Sequence, residues 1–324
     1  MRFPRRSSAQ RMRIVFATDL HGSETCFRKW VNSARVLEAN CLVMGGDITG
    51  KSIVPIVESD EGWVAEMGHG QSVARDDEEL ASLRKRIRAG GRYDVEISRE
   101  ELGRLADDAE LMQRLFRTAI QDSLRRWIEV AEERLPATGT PAFFMLGNDD
   151  EEDMLDGIGR SDALQYGEDR VCELPGGYEM ISFGYSTPTP WHTPRELSEE
   201  RMAEEIERLA GKLTDRRRAF YNLHCPPRDT HLDQAAILDE QLRPKQGAAG
   251  TMMGSVGSSA VREAIERDEP LLGLHGHVHE CSAVQRLGGT LCVNAGSEYQ
   301  SGVLKAAILE LDDGEVRHWQ LISS

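Results

Sequence analysis

Short apolar runs recur along the chain, and a polar residue follows each of them within three positions. Runs of this kind, bounded by glycine or polar residues, are typical of buried strands. They lie at 14–17, 41–44, 143–146, 220–223 and 271–274. In α/β proteins, the loops at strand ends commonly carry the functional side chains. The pattern therefore predicts a layered sheet protein with a functional site at the ends of these strands.

Two further patterns extend this architecture at each end of the chain. Residues 28–38 repeat apolar positions at helical spacing between the first two runs, so 14–47 form a predicted βαβ unit. At the other end, 303–311 and 315–322 alternate apolar and polar residues around a turn. This alternation predicts a C-terminal hairpin.

Capping signals predict two more helices in the second half of the chain. Residues 193–196 form a capping box with proline at the first helical position, which predicts a charged helix reaching about Ala210. Gly257-Ser258-Ser259 precedes 260–267, a second helix that is expected to be N-capped.

Residues 51–135 interrupt the series and contain no ligand motif. Their second half starts with a capping box at 98–101, followed by apolar residues at helical spacing as far as Ala131. We therefore predict an inserted helical subdomain within a domain of residues 12–324, preceded by a flexible leader at 1–11. The insertion could also serve as a homo-oligomer interface or as a lid.

The composition narrows the classes of function. The 324 residues include 39 basic and 55 acidic side chains, giving a net charge of −16. This balance disfavours sequence-independent binding to nucleic acid. The six cysteines form no Cys-x-x-Cys pair, so a reducing cytoplasm is the expected location. No apolar run approaches the ~20 residues that a membrane span needs.

Polar motifs with metal-ligand chemistry follow the apolar runs in a fixed order. The motifs are Asp19-Leu20-His21, Gly46-Asp47, Gly147-Asn148-Asp149, His224 and Gly276-His277-Val278-His279. Their carboxylates, amide and imidazoles suit two transition-metal ions held close together, a pair that most often cleaves phosphate esters. The Asp-x-His and His-x-His spacings also place each pair on one side of an extended segment.

The order of these motifs resembles that of the calcineurin-like metallophosphoesterases. Residues 223–227, 274–280 and 294–299 also resemble motifs of the Icc-related predicted phosphoesterases within that family. The resemblance covers 12–50 and 140–311 well, and the inserted segment poorly. It implies an α/β fold in which two β-sheets are sandwiched between helices, with a dimetal site at one edge.

The resemblance also implies a role for each ligand. The first ion would be bound by Asp19, His21 and His279, the second by Asn148, His224 and His277, and Asp47 would bridge both. Mixed oxygen and imidazole ligands admit several divalent metals. Manganese is the expected metal, with iron, zinc, nickel or cobalt as alternatives.

This ligand set predicts hydrolysis of a phosphate ester. A water molecule bridging two divalent ions is acidified towards a pKa of about 7, and the resulting hydroxide can attack phosphorus. Many family members have histidine after the asparagine, where it helps to protonate the leaving group, but this chain has Asp149. The candidate catalytic residues are therefore Asn148, Asp149 and His275, with His192 as a further substitute for the missing histidine.

The charge of Asp149 bears on the substrate. An ionised carboxylate there would bring the loaded site close to neutral, which favours a phosphodiester monoanion over a phosphomonoester dianion. The expected function is therefore a phosphodiesterase acting on a nucleotide or a similar small ester. A nuclease and a weakly catalytic, metal-binding scaffold for a protein partner are the alternatives. Steep salt dependence of DNA binding would favour the nuclease.

Overall fold

Two six-stranded sheets pack face to face and form the centre of the protein. The computed structural model describes residues 11–68, 70–155, 161–247 and 250–324, so the predicted leader lies almost entirely outside the described residues. The strands are β1 Met12–Ala17, β2 Cys41–Met44, β3 Ile53–Ser59, β4 Gly62–Met67, β5 Gly70–Ala74, β6 Tyr93–Glu96, β7 Ala142–Phe144, β8 Gln165–Tyr166, β9 Val171–Leu174, β10 Tyr178–Phe183, β11 Phe220–Leu223, β12 Gln234–Ala236, β13 Gln246–Gly247, β14 Gly250–Thr251, β15 Met253–Ser255, β16 Leu272–His275, β17 Ala283–Leu287, β18 Thr290–Asn294, β19 Lys305–Asp312 and β20 Glu315–Ser323.

Helices pack against the three larger sheets, the two six-stranded ones and an inserted four-stranded one. They are α1 Glu24–Val36, α2 Asp77–Ala89, α3 Arg99–Arg104, α4 Ala109–Arg134, α5 Glu199–Ala210 and α6 Ser259–Asp268. Helices α1 and α4 pack on the first sheet, and α5 and α6 pack on the second. Within the described parts of the chain, no helix is both long enough and apolar enough to cross a bilayer.

Each six-stranded sheet is covered on both faces, by the other sheet on one face and by helices on the other. In β1, Ile14 and Phe16 point into the core between the two sheets, whereas Val15 and Ala17 point towards the helices. Successive side chains of a strand point to opposite faces, so one short apolar run supplies two cores. The predicted two-sheet α/β architecture is confirmed.

The sheet orders bring the predicted ligand loops to one edge. The first sheet has the order β20-β19-β1-β2-β7-β8, and the second has β17-β18-β16-β11-β10-β9. Strands β1, β2 and β7 run parallel to one another, and so do β10, β11, β16 and β18. Every predicted ligand follows the carboxyl end of one of these parallel strands. The C-terminal hairpin, β19 and β20, pairs antiparallel as predicted.

The inserted segment contains the predicted helices and also a four-stranded sheet, so it is not purely helical as predicted. Its four strands have the order β5-β4-β3-β6. The capping box at Ser98 and Glu101 is present and starts α3, and Asp108 then caps α4. Helix α4 belongs to the main helical layer, because Trp127 stacks on Phe27 of α1 at a centroid distance of 4.2 Å.

The helix predicted from residue 193 begins later, at Glu199. The predicted box contacts do form, since the Thr193 amide donates to Glu196 at 2.8 Å, but they close a turn and not a helix. Ser198 caps the helix instead, and the buried guanidinium of Arg195 in the preceding segment donates to Glu168 at 2.8 Å. The helix predicted after Ser258 is confirmed, with the Ser258 hydroxyl accepting from the Val261 amide.

Candidate metal centre

The loops after β1 and β2 are joined by backbone hydrogen bonds that set their spacing. The amide of Asp19 donates to the Gly46 carbonyl at 3.0 Å, and that of His21 donates to the Asp47 carbonyl at 2.9 Å. Gly46 has φ +100°, and a Cβ there would lie 2.7 Å from Nδ1 of His224. A glycine is therefore required where the ligand loops of the two sheets meet.

One group of donor atoms gathers around Asp19. The side-chain donor atoms of Asp19, His21, Asp47 and His279 all lie within 4.8 Å of one another. Nε2 of His279 is 3.0 Å from Nε2 of His21 and 3.4 Å from Oδ1 of Asp19. Oδ2 of Asp47 lies 3.6 Å from Nε2 of His21. These side chains are those predicted for the first ion.

A second group shares Asp47 with the first. Oδ1 of Asn148 lies 2.7 Å from Nδ1 of His277 and 3.0 Å from Nε2 of His224. The same Nε2 of His224 is 3.5 Å from Oδ1 of Asp47. The two oxygens of Asp47 therefore face different groups, which is the geometry expected of a bridging ligand. The structure thus brings together all seven side chains predicted as metal ligands.

Hydrogen bonds behind the site direct lone pairs into it. Nδ1 of His224 faces the Gly45 carbonyl at 2.7 Å, and Nδ1 of His21 faces the Thr49 carbonyl at 3.3 Å. A carbonyl only accepts, so each ring carries a proton on Nδ1 and turns Nε2 towards Asp47, where it offers a lone pair whenever the ring is neutral. Carboxylate, amide and imidazole donors that converge in this way fit divalent metal ions.

Burial and the two carboxylates set the protonation of the ligands. Burial lowers the pKa of His21 to about 3 and that of His277 to about 4, so both rings are neutral at pH 7. Burial opposes the charged form of His224 too, but Asp47 and Asp19 outweigh it and raise its pKa to about 10. In the metal-free protein, a proton on His224 therefore occupies a position that a metal ion would take.

Four of these seven residues have left-handed backbone conformations. The φ angles are +54° at Asp19, +40° at His21, +49° at Asp47 and +68° at His277. Residues other than glycine pay a conformational cost in this region, and such strain concentrates at functional sites. The surrounding fold therefore holds these ligands in conformations that the free chain would rarely adopt.

Thr193 orients the amide of Asn148. Nδ2 of Asn148 donates to the Thr193 hydroxyl at 2.9 Å, and that hydroxyl donates to Glu196 at 2.8 Å. The chain of bonds fixes which end of the amide faces His224 and His277. Groups that hold a ligand from behind typically contribute 10–100-fold to metal affinity.

Replacing Thr193 with valine is expected to lower the affinity for one metal equivalent by about tenfold. Valine keeps the shape of threonine but cannot accept the Asn148 proton, so the amide loses its fixed orientation. Titration of metal-stripped protein with manganese, followed by calorimetry, measures the change. Thr193→Ser keeps the hydroxyl and is the matched control. Equal affinities for the valine and serine variants would contradict the role given to Thr193.

Asp149 lies at the mouth of the site and forms an ion pair with Lys51. Its amide donates to Oδ1 of Asp47 at 3.0 Å. Burial and the nearby Asp47 raise the pKa of Asp149, while Lys51 opposes that shift. The prediction of a nearly neutral metal-loaded site did not include Lys51, so the net charge of that site is more positive than predicted.

The structure does not support a catalytic role for His275. Its ring is fully buried on β16, and Nδ1 contacts the Leu223 carbonyl of the neighbouring strand at 2.8 Å. Burial lowers its pKa to about 4, so the ring is neutral. His275 is the last residue of an apolar strand, whereas the ligands follow their strands, and its Nε2 is buried without a hydrogen-bond partner.

Asp150 is a structural residue of the site that sequence reasoning missed. Its buried carboxylate accepts from the amides of Ile48 at 3.0 Å, Thr49 at 2.9 Å and Gly147 at 2.7 Å, and from the Thr49 hydroxyl at 2.5 Å. It thereby ties the loop carrying Asp47 to the loop carrying Asn148. Short acidic side chains often bind loop amides in this way, but nothing in the sequence separates Asp150 from its neighbour.

Comparison with known proteins bears on the fold. No family model matches the chain. An uncharacterized protein of Methanocaldococcus jannaschii is 26% identical over 150 residues, which cover 46% of this chain and 60% of that protein. The match thus spans less than two thirds of the relative's length.

Solved structures align over almost the whole chain. One has a TM-score of 0.58 at 14% identity, and the alignment covers 97% of this chain and 99% of that one. A Thermus thermophilus protein has a TM-score of 0.52 at 12% identity, with the same coverage of both chains. The two six-stranded sheets, the helices on their outer faces and these likenesses show that the chain shares the two-sheet α/β fold of these solved structures.

Proposed function

We propose that the protein is a metal-dependent phosphoesterase that hydrolyses small phosphodiesters of the nucleotide type. The observation that carries this proposal is the shared position of Asp47, whose two oxygens face two separate groups of donors. Two adjoining sites for divalent ions at one sheet edge suit the cleavage of a phosphate ester. The resemblance of the ligand motifs to the metallophosphoesterases supports the same chemistry.

Each part of the site has a stated task in this proposal. When bound, two divalent ions would neutralise phosphate charge and lower the pKa of a water molecule. The seven ligands hold the ions, with His21 and His224 oriented by backbone carbonyls. Asn148 is held by Thr193 and contributes through its side-chain oxygen.

The preference for diesters follows from charge. The carboxylates of Asp19, Asp47 and Asp149 give −3, and Lys51 gives +1. Adding two divalent ions, about +4, and removing one proton from water leaves a site of about +1. A phosphodiester carries one negative charge and neutralises this site. A phosphomonoester dianion would leave about one negative charge uncompensated.

Hydrolysis of a chromogenic aryl phosphodiester and of its matching monoester tests the proposal. Metal-stripped protein should be inactive, and resupply with manganese, nickel or zinc should restore cleavage, faster for the diester. Activity that persists after complete metal removal would contradict the proposal. If the monoester were cleaved faster, only the proposed preference for diesters would be contradicted. With two ions demonstrably bound and neither ester cleaved, the metal-binding scaffold would become the better proposal.

A further inference from the structure

We propose that Lys51 is a phosphate-binding residue, whose ammonium group contacts a non-bridging oxygen of the substrate and is held in position by Asp149. The inference rests on the proposed function, because it assigns a substrate contact within that same site. It concerns two residues outside the ligand set that are far apart in sequence and paired in the fold.

The backbone before Lys51 is anchored at the edge of the site. The Gly50 amide donates to the Tyr93 hydroxyl at 2.6 Å, which ties the loop to the inserted sheet. A Cβ on Gly50 would lie 2.3 Å from the Gly91 carbonyl, so the two chain segments are in close contact. Lys51 therefore leaves a fixed loop only four residues after Asp47, and its reach is limited to the neighbourhood of the ligands.

The ammonium group lies on the open side of the donor cluster. The Lys51 side chain is 51% exposed, whereas that of Asp149 is 18% exposed. The charge of Lys51 is close enough to Asp47, His21 and His279 to shift their pKa values. A positive charge that is both near the ligands and open to solvent is accessible to an incoming phosphate.

The chemistry of the pair suits this task. An ammonium group has three N–H donors, and one carboxylate partner leaves donors available for a phosphate oxygen. Asp149 also donates its amide to Asp47, so the residue that holds Lys51 is itself fixed to the shared carboxylate.

The ring of Tyr299 lies beside the first group of donors. Its ring lies 4.7 Å from that of His21 and 6.0 Å from that of His279, measured between centroids. A Cβ on Gly91 would meet this ring at 2.8 Å, so the inserted segment packs directly against it. Lys51 and Tyr299 together therefore border the first group of donors, and a bound phosphate would lie within reach of the ammonium group.

The test uses Lys51→Met, Lys51→Gln and Lys51→Arg in metal-loaded protein. We expect the Met and Gln variants to bind inorganic phosphate at least tenfold more weakly and to raise KM for the aryl diester, with metal content unchanged. Lys51→Arg should restore most of the affinity, since it keeps the charge. Lys85→Met, an exposed lysine on α2, is the control and should bind phosphate like the wild type.

The outcomes separate this inference from the proposed function. Phosphate affinity within twofold of wild type in both neutral variants, with full metal content, would overturn the role of Lys51 even if the enzyme is active. Absence of hydrolysis by the wild type would count against the proposed function, whereas the phosphate titration would still test the contact. Asp149→Asn should weaken phosphate binding less than Lys51→Met does, because it releases the lysine without removing its charge.

Discussion

Replacing Asp47 with asparagine is expected to lower ester hydrolysis by about a thousandfold or more and to reduce the bound metal. Asp47 directs one carboxylate oxygen towards His21 and the other towards His224, so both groups of donors lose a charged ligand at once. Asparagine offers one neutral oxygen and an amide that would repel a cation. Steady-state kinetics with the aryl diester and elemental analysis of the dialysed protein measure the two effects.

Asp313→Asn is the matched control for this substitution. Asp313 is exposed in the turn between β19 and β20 and has φ +52°, close to the +49° of Asp47. The chemical change and the backbone conformation are therefore alike, but the site is distant in the fold. Asparagine also tolerates the left-handed region, so neither variant should misfold. An Asp47→Asn protein that keeps its metal and is within tenfold of wild-type activity would contradict the shared role of Asp47.

Replacing Asp150 with asparagine is expected to lower the free energy of unfolding by about 3 kcal/mol. Its carboxylate accepts four hydrogen bonds from two loops. An asparagine amide would place N–H donors against backbone N–H donors, and buried amides would lose their acceptor. The loops carrying Asp47 and Asn148 should then separate, so metal affinity should fall as well.

Urea unfolding of the metal-free protein measures this loss. Asp149→Asn supplies the control, because it makes the same change one residue earlier in a side chain that faces Lys51 at the mouth of the site. That control should change stability far less. If both variants unfold at the same urea concentration as wild type, Asp150 does not hold the loops together.

The ligand positions could be predicted because each follows an apolar strand. The runs ending at Ala17, Met44 and Leu223 are buried strands, and parallel pairing brings the loops after them to one edge. Local patterns fix the strands, and the chemical types of the residues that follow them indicate metal binding. The same logic failed for His275, whose position after an apolar run resembles that of a ligand although its ring is buried in the core.

Features that depend on distant contacts could not be predicted. Strand β3 contains Pro55 although it has neighbours on both sides, a position that proline rarely takes, so the local pattern gives little indication of the inserted sheet. The buried ion pair between Arg195 and Glu168, just before α5, joins residues that are far apart in sequence. The pairing of Lys51 with Asp149 likewise exists only once the loops after β2 and β7 lie side by side.

The left-handed backbone at Asp19, His21, Asp47 and His277 has a consequence for protein engineering. Each such residue costs on the order of 1 kcal/mol, against a total stability of ~5–15 kcal/mol for a typical domain. A directed-evolution screen scored only on heat resistance would favour glycine or asparagine at these four positions. Each such substitution would raise stability but would remove or weaken a metal ligand. Thermostable clones of this protein should therefore be sequenced at these positions before their activity is interpreted.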